Sequence, residues 1–214
     1  MKTDRTSSPA FPDDQAILTL HKKYAPSNRA FRAVYEHCQI IDEITRQLIK
    51  QSRLDLDTHL VHAAALLHDI GYYPLFDETS CVPKRLTITH GVVGADILRR
   101  EGMDEAICRI AERHTGVGLT RESILRQGLP LPAKDLVAET PEEWLIMYAD
   151  KLHSKSVGPD ERHDVPGWFN SPEAYFEHAR KFGEDNAAKF MQLVKQYGVP
   201  DLQTLAKKYN EEVA

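Results

Sequence analysis

The stretch VHAAALLHDIG, residues 61–71, decides the fold of this chain. Its middle is apolar on every side, which predicts a helix buried at the centre of a domain. The helix is expected to begin near Asp57, an acceptable N-cap, and to run to Gly71, a residue that commonly ends helices. This interpretation places His68 and Asp69 at the C-terminal end of a central helix.

The chain on both sides carries apolar residues at helical spacings of three and four, and alternation typical of strands is hard to find. Irregular stretches are expected at 72–88, 116–140 and 158–167, where Gly and Pro concentrate. The prediction is therefore an all-α bundle of roughly eight helices. Apart from the central one, helices are expected after Ser27 or Asn28, from His90 to Glu101 behind Thr89, from Asp104 to His114, from Arg121 to Gln127, from Thr140 to residue 155, after Ser171 and after Pro200.

One domain is the default for a chain of 214 residues. Residues 1–12 are polar and contain Ser and Pro, which predicts a flexible N-terminal arm. We expect residues 13–157 to form the main domain, and residues 158–214 to form a C-terminal helical extension packed on it.

The composition, with 42% hydrophobic and 28% charged residues, is that of a soluble globular protein. A net charge of −5 gives no broad positive field for a nucleic-acid polymer or an anionic membrane, so a phosphate-bearing ligand needs a local device. Cys38, Cys81 and Cys108 are far apart and odd in number, which favours free thiols over a disulfide framework. With no secretory or membrane-spanning apolar stretch, a cytoplasmic protein is expected.

Six histidine and aspartate residues lie beside apolar residues on different predicted helices. A buried imidazole or carboxylate without a partner is costly, and one shared metal site would satisfy them all. Imidazole and carboxylate ligands without thiolate suit Fe, Mn, Zn or Co, and a carboxylate among several imidazoles can bridge two ions. The six residues are His37, His68, Asp69, His90, His114 and Asp150.

Each of these residues also has an ordinary explanation when taken singly. His37 could be a hydrogen-bonded core histidine, Asp150 the partner of an arginine, and His90 and His114 exposed helix caps. The ensemble favours the metal site, because independent accidents would have to place all six on apolar helices. Five other histidines are expected to have no role in the site, although His62 is close enough to the C-terminal end of the central helix to contact a ligand residue. They are His59, His62, His153, His163 and His178.

The run HAAALLHDIG resembles the signature of the HD superfamily of metal-dependent phosphohydrolases. The superfamily's motif order H…HD…D matches His37, His68 with Asp69, and Asp150. Residues 89–105 and 112–118 resemble the dinuclear subset with two additional histidines, which includes bacterial diadenosine tetraphosphate hydrolases. A small, largely uncharacterised HDIG group is similar through RHTGVG and onward to ADKL. The resemblance covers about residues 30–155.

The resemblance implies two divalent ions held by the six residues, with Asp69 bridging them and a hydroxide between the ions as nucleophile. Fe or Mn is favoured, with Zn, Co, Ni or Mg as alternatives. The implied reaction is cleavage of a phosphoester or phosphoanhydride bond in a nucleotide or dinucleoside polyphosphate. Such ions lower the pKa of bound water and clamp the phosphoryl oxygens, so no Ser or Cys nucleophile is required.

One departure from the family pattern concerns the phosphate site. Several dinuclear relatives have a lysine directly after the HDIG-like tetrapeptide, where this chain has Tyr72. We expect Lys151, beside Asp150, to take the cationic role in substrate binding and catalysis. Lys84 and Arg85 are alternatives that could equally be solvated loop charges. Two further substrate contacts are expected from Thr115 and from Tyr72, which could stack on a base or simply pack.

Two other functions stay open. Some similar HD-domain proteins are mixed-valent di-iron oxygenases that act on small molecules with O₂, and Tyr72 in place of the lysine keeps that alternative alive. A non-catalytic nucleotide-binding regulator is weaker, because no ligand position is visibly lost. The expected partner is a small phosphorylated molecule, not a nucleic-acid polymer or a membrane, and the sequence does not define an oligomeric state.

Overall fold

The computed structural model describes residues 11–157 and 167–214. The predicted arm up to residue 10, the stretch 158–166 and His163 lie outside these ranges. Eleven α-helices, one 3₁₀ helix and one small sheet form the described part, which confirms the all-α prediction with more helices than expected. The elements are α1 (Asp14–Tyr24), α2 (Asn28–Ser52), α3 (Thr58–Leu67), a 3₁₀ helix (Ile70–Leu75), α4 (Lys84–Thr87), α5 (His90–Arg100), α6 (Glu105–Arg113), α7 (Arg121–Gln127), α8 (Pro141–Lys151), β1 (His153–Lys155), β2 (Gly167–Phe169), α9 (Pro172–Arg180), α10 (Glu184–Tyr197) and α11 (Leu202–Tyr209).

Most helix starts follow from side chains that satisfy free backbone N–H groups. Ser27 caps α2, Asp57 caps α3 and Ser171 caps α9, each by accepting hydrogen bonds from the first turn. Thr140 and Glu143 form a reciprocal capping box at the start of α8. These four starts agree with the sequence prediction.

The end of the central helix differs from the prediction. Helix α3 ends at Leu67 instead of Gly71, and the chain continues as the 3₁₀ helix. Pro74 has no N–H and would clash with the carbonyl of residue 70 in an α-helix, so the tighter turn is the better solution. The stretch 72–88 is therefore not a plain loop. Thr89 precedes α5 but does not cap it, because its hydroxyl donates to the Leu86 carbonyl at 2.7 Å.

The second correction concerns the end of α8, which stops at Lys151 instead of continuing to residue 155. Residues His153–Lys155 turn into β1 and pair antiparallel with β2, with His153 opposite Phe169. A Cβ on Gly167 would lie 2.7 Å from the His153 ring, so only glycine fits there. This hairpin joins segments separated in sequence, and helical periodicity could not predict it.

The core surrounds α3, whose side chains from Ala63 to Leu67 are almost completely buried. Helix α3 contacts α2 and α6, and α5 packs on both α6 and the 3₁₀ helix. The C-terminal helices join the same core: α10 packs on α2 and α8, and the Tyr148 hydroxyl donates to the Gly198 carbonyl at 2.6 Å. Within the described ranges, no helix is long and apolar enough to cross a membrane.

Candidate metal centre

The six predicted ligand residues come together at one end of α3. His68 and Asp69 follow the last turn of α3, and α2, α5, α6 and α8 each contribute one further side chain from its middle or its end. The ligand atoms form two groups, and within each group they lie within 4.8 Å of one another. The first group is His37, His68, Asp69 and Asp150, and the second is Asp69, His90 and His114.

Asp69 belongs to both groups because its two oxygens face different histidines. Oδ2 lies 3.1 Å from Nε2 of His37 and 3.4 Å from Nε2 of His68. Oδ1 lies 3.3 Å from Nε2 of His90 and 3.4 Å from Nε2 of His114. The carboxylate thus stands between two sets of imidazoles, as a bridging ligand must.

Backbone carbonyls orient three of the four imidazoles. Nδ1 of His68 and of His114 each lies within hydrogen-bond distance of the carbonyl three residues earlier, at 2.8 and 2.7 Å, and Nδ1 of His90 makes the same contact. A carbonyl only accepts, so each Nδ1 carries the proton. The Nε2 lone pair of each ring is then available to a cation.

The unsatisfied atoms of the centre fit a divalent cation. Nε2 of His68 and Oδ1 of Asp69 are buried and have no hydrogen-bond partner, while Oδ2 of Asp69 contacts the ammonium group of Lys155. Burying such atoms unpaired is costly. Two ligands about 2.1 Å from one ion and at right angles to each other lie about 3 Å apart. The observed separations of 2.8–3.4 Å between facing ligand atoms match that spacing.

Charge in the centre favours the same conclusion. Burial opposes ionisation of Asp69, but the ammonium group of Lys155 and the His68 imidazole hold its pKa well below the usual range. Burial lowers the pKa of His90 to about 3 and also lowers that of His114, so both rings are neutral near pH 7. Burial opposes protonation of His68 too, but the Asp69 carboxylate holds its pKa above the usual range, so a cation bound there would displace a proton. Neutral imidazole and ionised carboxylate are the forms that bind metals. The clustered residues therefore suit a divalent metal ion.

A family comparison agrees with this geometry. The model of the HD domain matches residues 32–155, which is more than half of the chain and includes all six residues. The chain belongs to the HD domain family.

Three curated relatives match part of this HD-domain chain. A tRNA (cytidine(56)-2'-O)-methyltransferase of Thermoplasma volcanium is 38% identical over 66% of this chain and 36% of its own length. The enzyme of the same name from Picrophilus torridus is 36% identical over 67% of this chain and 37% of its own length. An uncharacterized protein of Methanocaldococcus jannaschii is 41% identical over 56% of this chain and 65% of its own length. The chain thus spans about a third of each methyltransferase, and most of those two enzymes has no counterpart in it.

A solved structure shares the fold. The HD domain of the phosphodiesterase PgpH from L. monocytogenes superposes with a TM-score of 0.51 and covers 90% of this chain and 98% of that domain. The sequences are 16% identical, so the likeness is one of fold.

A cavity of about 370 Å³ opens beside the metal centre of this HD domain. Tyr72, Thr115 and Lys151, three of the predicted substrate contacts, line it together with His90 and Asp150. The cavity also has an apolar part, formed by Ile88, Val117, Leu119, Leu129 and Phe182.

Lys84 and Arg85, the two other predicted substrate contacts, are not brought into the cavity. Both side chains are exposed on the short helix α4 and are not among the residues that line it. Lys151, by contrast, is buried, with its ammonium group 3.0 Å from the His114 carbonyl and 2.5 Å from Oδ2 of Asp150.

The sequence interpretation missed a second cation beside the centre, Lys155, whose side chain is 9% exposed. Its ammonium group contacts Oδ2 of Asp69 and lies 4.5 Å from the centroid of the Tyr72 ring. That ring stacks on His90 with centroids 4.2 Å apart. Lys155 thus brings a cation to the side chain of Tyr72, the residue that directly follows the HDIG sequence. The only sequence signal was a lysine shortly after the last ligand, on a segment expected to be helical.

One of the histidines considered ordinary differs from expectation, and a second is ordinary as expected. His153 is buried, and its Nδ1 lies 2.7 Å from Nδ1 of His37, so it contacts a predicted ligand directly. His62 does not support a ligand. Its ring nitrogens instead lie 2.8 Å from Asp42 and 2.7 Å from Asp14, near the other end of α3.

Proposed function

We propose that this HD-domain chain is a metal-dependent phosphohydrolase acting on a phosphorylated small molecule, with a nucleotide or dinucleoside polyphosphate as favoured substrate. The observation that carries the proposal is the placement of Asp69, whose two carboxylate oxygens face two different ligand groups beside a cavity lined by Lys151 and Lys155. Divalent ions held there would activate water and neutralise the charge that develops on a phosphoryl group.

The proposal assigns each of two ions to one ligand group. His37, His68 and Asp150 would hold one, His90 and His114 the other, and Asp69 both. Ligands of nitrogen and oxygen without thiolate favour Fe or Mn, with Zn, Co, Ni or Mg as alternatives.

The side chains of the cavity would bind and orient the substrate. Lys155 and Lys151 place two ammonium groups beside the ligand carboxylates, where they can pair with the phosphate oxygens. The Thr115 hydroxyl would add a hydrogen bond. The apolar part of the cavity would take the organic part of the substrate, with Tyr72 as a ring available for stacking.

Lys155 also weakens the oxygenase alternative. That alternative depends on the absence of a lysine at position 72. Lys155 supplies a cation beside the Tyr72 ring from another segment, so a cation for phosphate binding is not missing.

The proposal also concerns domain organisation. We infer that residues 158–214 form an extension of the HD domain, because Phe190 and Tyr197 are buried in one core with the residues of α2 and α3.

The test is metal analysis of the purified full chain, followed by a screen of phosphomonoesters, anhydrides and diesters with Mn²⁺ or Fe²⁺ added. Two metals per chain and release of phosphate or nucleotide, lost in Asp69→Asn, are expected. A ratio near one metal per chain would contradict the dinuclear assignment. If the metal-loaded protein cleaved nothing in the panel, or consumed O₂ with its substrate, the hydrolase proposal would fail.

A further inference from the structure

His37 differs from the other histidines of the metal centre in the hydrogen-bond partner of its Nδ1, the ring nitrogen that does not face Asp69. The others donate Nδ1–H to the backbone carbonyl three residues earlier in the chain. Nδ1 of His37 instead lies 2.7 Å from Nδ1 of His153, and Nε2 of His153 lies 2.8 Å from Oε2 of Glu211. This connection, the series of hydrogen bonds from His37 through His153 to Glu211, links the matched HD segment, residues 32–155, to a residue near the C-terminal end of the described chain.

Only one arrangement of protons satisfies this connection when Nε2 of His37 faces a cation. Nε2 then carries no proton, so Nδ1 of His37 carries it and donates to His153. His153 accepts at Nδ1 and therefore holds its own proton on Nε2. That proton is donated to the Glu211 carboxylate, an acceptor at the far end of the series. Every nitrogen is satisfied, and both imidazoles are neutral.

Packing holds the connection in place. The side chains of His153 and Glu211 are 1% and 0% exposed, so water does not compete for their hydrogen bond. Gly167 gives the His153 ring its space, and the ring of Phe169 meets it with centroids 4.9 Å apart. Glu211 is fixed by the backbone that follows it, because the Phe169 N–H donates to the Glu212 carbonyl at 2.8 Å.

We propose that His153 and Glu211 are positioning residues for the metal centre, which makes the C-terminal segment a working part of it. The inference rests on the proposed function in one respect, the presence of a divalent ion at His37. A carboxylate acting through imidazole fixes the ring of a metal-binding histidine and makes its free nitrogen more basic. Removing an outer partner of this kind typically weakens metal binding by about 10–100-fold. Only the ion held by His37 is affected.

The experiment is a titration of the full chain, freed of metal, with Co²⁺, followed by visible absorption and calorimetry. Burial, together with the charge of Glu36, raises the pKa of Glu211 to about 7, so the titration is done at pH 8. Glu211→Gln keeps the shape and removes the charge. We expect it to weaken one of the two Co²⁺ sites about 10-fold or more, to change the absorption of that site, and to leave the other site within twofold.

Glu212→Gln is the matched control, because Glu212 is the exposed neighbour of Glu211 in the same segment. It is expected to bind both ions as the wild type does. Glu211→Gln should also have no further effect in a His153→Gln background, since Glu211 acts through His153. Circular dichroism and thermal unfolding of the metal-free variants separate positioning from loss of structure.

The outcomes distinguish this inference from the proposed function. Unchanged affinity and absorption in Glu211→Gln, with two Co²⁺ bound by the wild type, would overturn the positioning role alone. Equal weakening of both sites, or additive effects of the two substitutions, would overturn it as well. A wild-type chain that binds no Co²⁺ would overturn both the proposed metal centre and the role of Glu211.

Discussion

Two buried histidines, His21 and His68, lie near the C-terminal end of α3, and they differ in how their ring nitrogens are satisfied. The His21 ring is fully buried, with Nδ1 2.7 Å from the Tyr73 hydroxyl and Nε2 2.7 Å from the Leu66 carbonyl. His68, two residues after Leu66, is equally buried, but its Nε2 has no hydrogen-bond partner. Burial is thus common to both, and the unsatisfied nitrogen beside a carboxylate is what distinguishes a metal ligand from a structural histidine.

The largest effect is expected from Asp69→Asn, which removes the charge that the Nε2 atoms of four histidines face. Metal binding should fall below detection and the hydrolase rate by about 1000-fold or more, since both ligand groups share this carboxylate. His21→Gln should keep both properties. Metal analysis and initial rates of the two variants compare the role of Asp69 with that of His21. An Asp69→Asn protein with two bound ions would contradict the assignment of Asp69 as a shared ligand.

Lys155→Met is expected to have the next largest effect. Loss of a cation beside the phosphate position should lower kcat/KM by roughly 100-fold. Metal affinity should not fall, because the ammonium group competes with a cation for Oδ2 of Asp69. Lys84→Met, on the exposed helix α4, is the control and should change kcat/KM less than twofold. Weaker metal binding in Lys155→Met would instead show that the lysine supports the ligands.

Metal addition should stabilise the folded protein by binding at the cluster around Asp69 and at no other place. Mn²⁺ at 100 times its dissociation constant is expected to raise the free energy of unfolding by about 2.7 kcal/mol for each ion bound, because it binds the folded state. Chelation should reverse the gain. His21→Gln should show the full effect and Asp69→Asn none, as measured by urea unfolding with and without metal. A gain that persists in Asp69→Asn would place the stabilising ion elsewhere.

The smallest expected effect concerns His21, whose two ring nitrogens both have hydrogen-bond partners. Burial lowers the pKa of His21 from 6.5 to about 4. The unfolded chain therefore binds this proton more readily, so the contribution is complete above pH 6.5 and is lost as the pH falls from 6.5 to 4. Between pH 7 and 5 the loss is about 2 kcal/mol.

The measurement is the free energy of unfolding of wild type and His21→Gln, both with chelator, at pH 7 and 5. The variant should lose about 2 kcal/mol less than the wild type over this range, while His59→Gln, at an exposed position, should behave as the wild type does. Parallel pH profiles for all three proteins would exclude titration of His21 as a cause.

The sequence was sufficient for the parts of the molecule that depend on local pattern. The caps at Ser27, Asp57 and Thr140 predicted three helix starts, because a cap acts within its own first turn. The convergence of the ligand residues followed from family resemblance and from the cost of burying several polar side chains. Their spatial grouping agrees with that expectation, while their binding of metal stays a prediction.

The parts that were missed depend on pairing between distant segments. Lys155 and His153 reach the centre because β1 pairs with β2, and no periodicity in either strand indicates its partner. Glu211 is 58 residues from His153 in sequence and contacts it only through the folded C-terminal segment. Lys84 and Arg85 were attractive because they are close in sequence to the central motif, but α4 directs them to solvent.

The close packing at Gly71 has a consequence for protein design. A Cβ at this position would lie 2.0 Å from the His90 carbonyl and 2.3 Å from the Gly94 backbone nitrogen. The segment that carries Asp69 and the helix that carries His90 therefore touch without a side chain between them. Because Gly71 has no side chain, the two backbones can pack directly, and one added methyl group would push Asp69 and His90 apart. The distance between Asp69 and His90 is then set by a residue that is not itself one of the six candidate ligands.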